Sequence, residues 1–380
     1  MTLVERLWWR PSPPGWEAAL LSPLLALEAG FRAAAAARAA LYDRGVLAVE
    51  RPPVPVLSVG NVAVGGAGKT PVALAIAERL VARGRRVAVL SRGYGAVRQD
   101  ARVAADLAGV RLGAAEAGDE PALLARRLPG VAVLCGPRRA VLARMAVDRL
   151  GADVLLLDDG FQHRALARDL DVVVLDAANP VGNGHLFPRG PNREPLAAIR
   201  RAGLGWLSRV DQADRSELER LRARVRALTG REPVESQHAS VDVVDGALDR
   251  SLGLDALRGR RVALVCGIAR PASFRHTVEG LGATVVLEQR FPDHHRFAAE
   301  DVAAALLAVR GGRADVVVTT EKDAVRLPPG LAADPAVLAV RIRAEIVRGA
   351  EVLDAAIDAA LAARPAPARP GAASSAGGSR

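Results

Sequence analysis

The chain of 380 residues is 50% apolar and 25% charged, enough to bury a sizeable core and unlike a disordered or fibrous sequence. At roughly 150 residues per domain it predicts two domains. Its 52 basic and 42 acidic residues leave a net charge of +10, which suits an anionic lipid or a phosphorylated substrate, whereas 3% aromatic content leaves few rings to stack on bases and sets nucleic acid aside. Cys135 and Cys266 each end an apolar run before glycine (VAVLCG, VALVCG). That spacing excludes a disulfide framework and a Cys-based zinc site, and points to buried strand ends in a reducing compartment.

The first segment, residues 1–49, is apolar and Ala-rich. Ser22-Pro23 reads as an N-cap with proline at the first helical position, and Gly45 as the stop. A helix between them runs about 22 residues, roughly 33 Å, but Glu28, Arg32, Arg38 and Asp43 interrupt it and exclude a membrane span. Leu24, Leu27, Phe31 and Leu41 share one side with Arg38, whose long stem can snorkel, and Leu3, Leu7, Trp8, Trp9 and Trp16 precede it. These residues fit a helix lying in a membrane interface and a helix packed on its own domain equally well.

From Pro55 onward, short apolar runs alternate with helical stretches. The runs at 56–59, 87–90, 131–134, 154–157 and 172–175 are continuous in apolar character, as buried parallel strands are. They predict a doubly wound α/β domain over residues 50–210. A polar, Arg-rich helical connector follows at 211–230. Runs at 262–265, 284–287, 316–319 and 337–340 then predict a second, smaller α/β domain over 231–362, ahead of an Ala/Pro/Gly/Ser tail at 363–380 expected to be disordered.

Arginine supplies nearly all the positive charge, a compositional bias that accounts for the high pI without invoking function. Only Lys69 and Lys322 are lysines, and both sit inside motifs. VLSVGNVAVGGAGKTP at 56–71 runs from a strand through a glycine-rich turn into a helix. This is the context of a P-loop, in which the backbone of Gly65, Gly66, Ala67 and Gly68 cradles phosphate, Lys69 reaches the β/γ-phosphates and the Thr70 hydroxyl meets Mg²⁺. The strict spacing wants glycine at position 63, where this chain has Ala63. Neither lysine lies in an NKxD-type guanine motif, which favours ATP. DVLLLDDGFQH at 153–163 ends an apolar strand in Asp158-Asp159, a Walker B-like pair for Mg²⁺.

Three more clusters fall at strand ends or loops: Gly118-Asp119-Glu120-Pro121, Phe291-Pro292-Asp293-His294-His295 and Thr320-Glu321-Lys322-Asp323. On spacing alone the first reads as helix capping and the second as a polar loop, although a carboxylate beside imidazoles also suits a proton relay. Arg92 in SRGYG and Arg138-Arg139 are candidate anion binders among many arginines.

Taken in order, VGNVAVGGAGKTP, LSRGYG, GDEPALLARR, GPRRA, LLLDDGFQHRALARDLD, GNGHLFPRGPNREPL, CGIARPASF, FPDHHRF and VTTEKDAVRL resemble the tetraacyldisaccharide 4′-kinase family, from about Trp16 to Val340. The resemblance implies a P-loop kinase domain, a second α/β domain and an N-terminal helix seated on the bacterial inner membrane at its cytoplasmic face. It implies ATP and Mg²⁺ as cofactors and an acylated glucosamine disaccharide 1-phosphate as the lipid phosphorylated at its 4′-hydroxyl, a step of lipid A biosynthesis. Carried over by motif, Asp119 is the general base tuned by His294, and Asp158, Asp159, Glu194 and Thr70 serve Mg²⁺. Lys69 stabilises the transferring phosphoryl, and Arg92, Arg138 and Asn183 are candidates for substrate contact. A monomer without an obligate protein partner is expected. Asn192, in PRGPNRE, stands where the family pattern suggests an apolar residue, which questions local packing. A P-loop GTPase or metal chaperone, and a non-catalytic nucleotide-gated scaffold, are the other classes that a GGxGKT loop admits.

Overall fold

The computed structural model describes residues 7–10, 16, 21–97 and 100–364. The apolar runs become strands because residues that are hydrophobic on both faces are buried only inside a sheet covered by helices on both sides. β1 (Val56–Gly60), β2 (Val87–Ser91), β5 (Ala132–Cys135), β6 (Val154–Asp158) and β7 (Leu170–Asp176) are buried throughout. They pair in parallel, joined by β8 (Leu204–Ser208). The edge is closed by the short antiparallel pair β3 (Arg102–Asp106) and β4 (Gly109–Val110).

A second parallel block comprises β10 (Arg261–Cys266), β11 (Thr284–Arg290), β12 (Val316–Thr320) and the start of β13 (Val337–Arg348). The two blocks belong to one 13-stranded sheet in the order β11-β10-β12-β13-β9-β8-β7-β1-β6-β2-β5-β3-β4, where β9 is Val234–Asp245. β9 runs parallel to β8 only over residues 234–236 and antiparallel to β13 along its length. Residues 237–242 and 341–345 therefore form a two-stranded ribbon bridging the blocks.

Helices α2 (Lys69–Ala82), α3 (Asp119–Arg127) and α4 (Arg139–Asp148) cover the first block. The connector is observed as α5 (Arg215–Thr229), capped by Asp214, whose carboxylate accepts from the Ser216 and Glu217 amides. It packs on β8, where the hydrogen of Gly205 leaves room for Val225. α6 (Pro271–Gly280) and α7 (Ala299–Arg310) cover the second block. The C-terminal helix α8 (Ala350–Ala363) returns to the first, burying Leu353 and Ile357 against the α2 core. The expected tail lies outside the described residues from 365 onward. Ala363 still ends α8, and Arg364 donates to the Pro52 carbonyl.

Near the N-terminus, Ser22–Leu24 form a 3-10 turn leading into α1 (Leu25–Asp43), and Gly45 follows its end at φ +71°. Glu28 is its one buried residue. Burial opposes ionisation there, but the Leu186 amide, Arg32 and His185 hold the carboxyl below its usual range. Trp8 and Phe31 meet Phe187 edge-on. Leu25, Leu27, Leu41 and Trp16 remain exposed, Leu3 lies outside the described residues, and no described helix is long and apolar enough to cross a membrane. Both cysteines end buried strands as expected and are free, and burial pushes the Cys266 thiol up to about 12.

Candidate active site

The glycine-rich loop leaves β1 at Gly60 and enters α2 at Lys69. Gly65 (φ +97°) and Gly68 (φ +83°) occupy the left-handed region that glycine adopts without strain. A side chain at Gly68 would also meet His238 Nε2 at 3.1 Å. Ala63 needs no such freedom, because its backbone forms an antiparallel bridge with Asn192. Two carbonyls of the loop are tied down from the end of β8: Ser208 Oγ donates to Ala67 O (2.7 Å) and Arg209 Nη2 to Gly66 O (2.7 Å). Arg209 is itself held by Asp176 at the end of β7, which also pairs with Arg270 of the second block (2.6 Å).

Lys69 Nζ donates to Asn61 Oδ1 (3.3 Å) and lies 3.4 Å from Asp159 Oδ1. Asp159, at φ +50°, also accepts from Arg193 (2.8 Å). Burial works against its charge, but Lys69 and Arg193 prevail and hold its carboxyl down at about 2. Asp158 is fully buried, and Ser91 Oγ donates to its Oδ2 (3.1 Å). Burial, with the Glu120 and Asp159 carboxylates nearby, pushes it up to about 7 despite Lys69. Among the described residues its Oδ1 has no hydrogen-bond partner. A buried acceptor left unsatisfied beside a phosphate loop fits a cation shared with phosphate oxygens. Among the described residues no three His, Cys, Asp or Glu side chains gather as a metal cage.

Glu194 is placed differently from its predicted partners. Its two oxygens accept a fork from Arg201 (2.7 and 2.8 Å), and Oε1 also accepts from Gln162 (3.0 Å), which reaches the Asn61 carbonyl (2.9 Å). Asn183 spends its amide on the Leu7 and Arg189 carbonyls and its oxygen on the His185 N–H. Asn192 is buried, but its amide donates to Val181 O and His185 O (2.8 Å each), so this loop tolerates the polar residue. Of the arginine pair, Arg138 is exposed and Arg139 is the buried one. Burial pushes Arg139 down to about 10, although Asp158 and Asp159 draw it up. Arg92 is exposed near Arg139, and both help burial to push His163 down to about 4.

On the other side of the site, Asp119 opens α3 after Gly118, whose φ of +93° and contact with the Tyr94 carbonyl admit only glycine. Asp119 Oδ2 lies 3.0 Å from His294 Nδ1, and Tyr94 meets the His294 ring edge-on. His294 belongs to the loop after β11, so this contact joins the two blocks. The arrangement offers a phosphate cradle with its lysine, a cation-seeking carboxylate pair, and a carboxylate oriented by an imidazole.

Residues 18–362 match the family described as LpxK, tetraacyldisaccharide-1-P 4′-kinase. The chain belongs to this family. It is 68% identical to the tetraacyldisaccharide 4′-kinase of Anaeromyxobacter sp. strain Fw109-5, over 95% of this chain and 97% of that protein. It is 39% identical to that of Syntrophus aciditrophicus, over 86% and 89%. The crystal structure of LpxK from Aquifex aeolicus in complex with ATP superposes with a TM-score of 0.74 at 30% identity, covering 90% of this chain and 99% of that one.

Several residues that frame this site were not visible in the sequence. Asn61, Gln162, Arg193, Ser208, Arg209 and Asp176 fix the loop and its lysine. Asn61 and Gln162 sit inside quoted motifs, so their position was a signal. The arginines were lost among so many others, and Ser208 and Asp176 become neighbours of the loop only through strand order.

Proposed function

We propose that the chain transfers the γ-phosphoryl group of ATP to the 4′-hydroxyl of a tetraacylated glucosamine disaccharide 1-phosphate in lipid A biosynthesis. The observation that carries this reading, alongside family membership, is the pairing of Asp119 with His294 in a chain whose P-loop lysine is held between Asn61 and Asp159. A sugar hydroxyl does not ionise near neutral pH, so its proton must be accepted as the new O–P bond forms and the bond to ADP breaks. Asp119 accepts it, and His294 orients the carboxylate. Lys69 and the loop N–H groups stabilise the charge on the transferring phosphoryl. Thr70, Asp158 and Asp159 would hold Mg²⁺, which when bound offsets phosphate charge. Glu194 supports that group through Gln162.

The nucleoside end of ATP occupies the cavity of about 180 Å³ beside the loop, lined by Trp9, Ala67, Val174, Leu175, Asp176 and Arg270. Arg92 and Arg138 are exposed cations available to the substrate's phosphate. Both halves of the site come from one chain, which supports a monomer. The exposed Trp16, Leu25, Leu27 and Leu41 support seating of the N-terminal region on the cytoplasmic face of the inner membrane.

Transfer of labelled γ-phosphate from ATP to acylated disaccharide 1-phosphate in detergent micelles tests the reaction. Product with wild type and about 10²–10³-fold less with Lys69→Met is expected. Nucleotide binding without product in either protein would discard the kinase reading.

A further inference from the structure

The second lysine motif, TEKDAVR, has no part in the reading so far, yet it stands behind the base. β12 ends at Thr320, and Glu321–Ala324 turn into a short helix whose cap is Thr320 itself, its Oγ1 accepting from the Asp323 amide. Asp323 is fully buried, accepts from the Gly267 N–H and from Thr320 Oγ1, and pairs with Arg326. Arg326, whose side chain is 3% exposed, also donates from Nη2 to Gly267 O (3.0 Å) and from Nε to Lys322 O (3.3 Å), and that Nε forms an ion pair with Asp119 Oδ2 at 3.5 Å. Both second-block contacts of Asp119, from His294 Nδ1 and Arg326 Nε, thus fall on the same oxygen. Lys322 Nζ lies 3.1 Å from Asp293 Oδ1, the atom that accepts the His294 N–H (3.0 Å). His294 itself adopts φ +61°, a conformation non-glycine residues hold only under constraint. Next along the motif, buried Glu321 pairs across the blocks with Arg127 of α3, the helix that Asp119 begins (2.5 Å).

We propose that Arg326 is a positioning residue for the phosphoryl-transfer base. Its guanidinium, anchored on Asp323, holds Oδ2 of Asp119 together with His294 and leaves Oδ1 to take the proton of the attacking hydroxyl. Lys322 serves the same end by holding Asp293 and, through it, the His294 backbone. The motif is therefore the second block's support for the base, and the inference rests on Asp119 being that base. The titratable and charged groups facing Asp119 are His294 and Arg326, with Asp293, Lys322 and Asp323 behind them and Glu120 beside it on α3. A guanidinium beside this oxygen fixes which oxygen of Asp119 faces the substrate.

The test compares full-length wild type, R326K, R326M, D119N and the double variant R326M/D119N by turnover and KM for ATP. R326M is expected to lose on the order of 10-fold to 100-fold in kcat with KM for ATP unchanged. R326K, which keeps the cation, should restore most of that loss. In the D119N background R326M should add no further loss, since a group acting through Asp119 has nothing left to act on. If R326M does not fold, the pair R326M/D323N carries the same test, because it leaves no buried carboxylate uncompensated. An unchanged kcat in R326M, failure of R326K to restore it, or a full additional loss in D119N would mark plain packing and overturn the proposal. Wild-type turnover in D119N would instead sink the base assignment itself.

Discussion

The phosphate loop and the base differ in how they are built. The loop, its lysine and the first turn of α2 are consecutive in sequence, and their immediate support comes from the ends of β6, beside β1, and β8, one strand further on the other side. Asp119 has no such local frame. Its orienting groups, His294 and Arg326, come from the other block of the sheet, 175 residues away in the case of His294. The phosphate loop and its lysine are thus framed within one block, and the base is framed by both. Damage to one should leave the other measurable.

The sharpest separation comes from D119N, which should lose about 10²–10⁴-fold in turnover while ATP affinity, read by calorimetry, stays at the wild-type value. A large loss of ATP binding would mean that Asp119 belongs to the loop side. Lys69→Met should cost about 10²–10³-fold in turnover, and its effect should persist with any acceptor substrate. Next in size is Arg209→Met. It frees the Gly66 carbonyl and removes a charged hydrogen bond of about 1.5–3 kcal/mol, so ATP affinity should fall roughly 10-fold or more. The Asp119–His294 contact, followed by the His294 imidazole NMR signal, should be unchanged.

Arg127→Met acts between the two blocks. It leaves buried Glu321 with Arg341 as its remaining cation, and should destabilise by about 1–3 kcal/mol, seen as a lower midpoint in urea with ATP affinity intact. The smallest effect belongs to Arg83→Gln, which cuts the α2–α8 pairs to Asp354 and Asp358. Asp358 is exposed and Asp354 half-buried, and solvent screening limits the loss to about 0–1 kcal/mol. If Arg83→Gln proved costlier than Arg127→Met, the contact between blocks would matter less than the docking of α8.

The same contrast governs what could be read in advance. VLSVG and VLLLD announce buried parallel strands because both faces are apolar. β8, LGWLS, breaks that signal with Gly205, whose role is to admit Val225 of α5. β9, VESQHASVDVVD, carries polar residues along a ribbon that is only half-buried, so its composition reads as loop. The N-terminal helix was legible from Pro23 and Gly45, but Glu28, counted as a break in apolar character, proves to be the residue that docks it by accepting from the Leu186 N–H. Likewise Arg138 and Arg139 are indistinguishable in sequence. Only the start of α4 decides that Arg139 turns inward.

What the sequence determined by itself is everything carried by short-range order: the phosphate loop, the apolar strands of both blocks, the acidic pair ending β6, and the strands ending in buried cysteines. Each depends on period, turn chemistry or neighbours within a few residues, which linear spacing preserves. Tertiary structure alone decided which oxygen of Asp119 is held and by whom, which carboxylate lies beside Lys69, and that one sheet runs through both blocks. Those are long-range contacts, fixed by strand order and by the burial of charges that must find partners wherever the fold brings them.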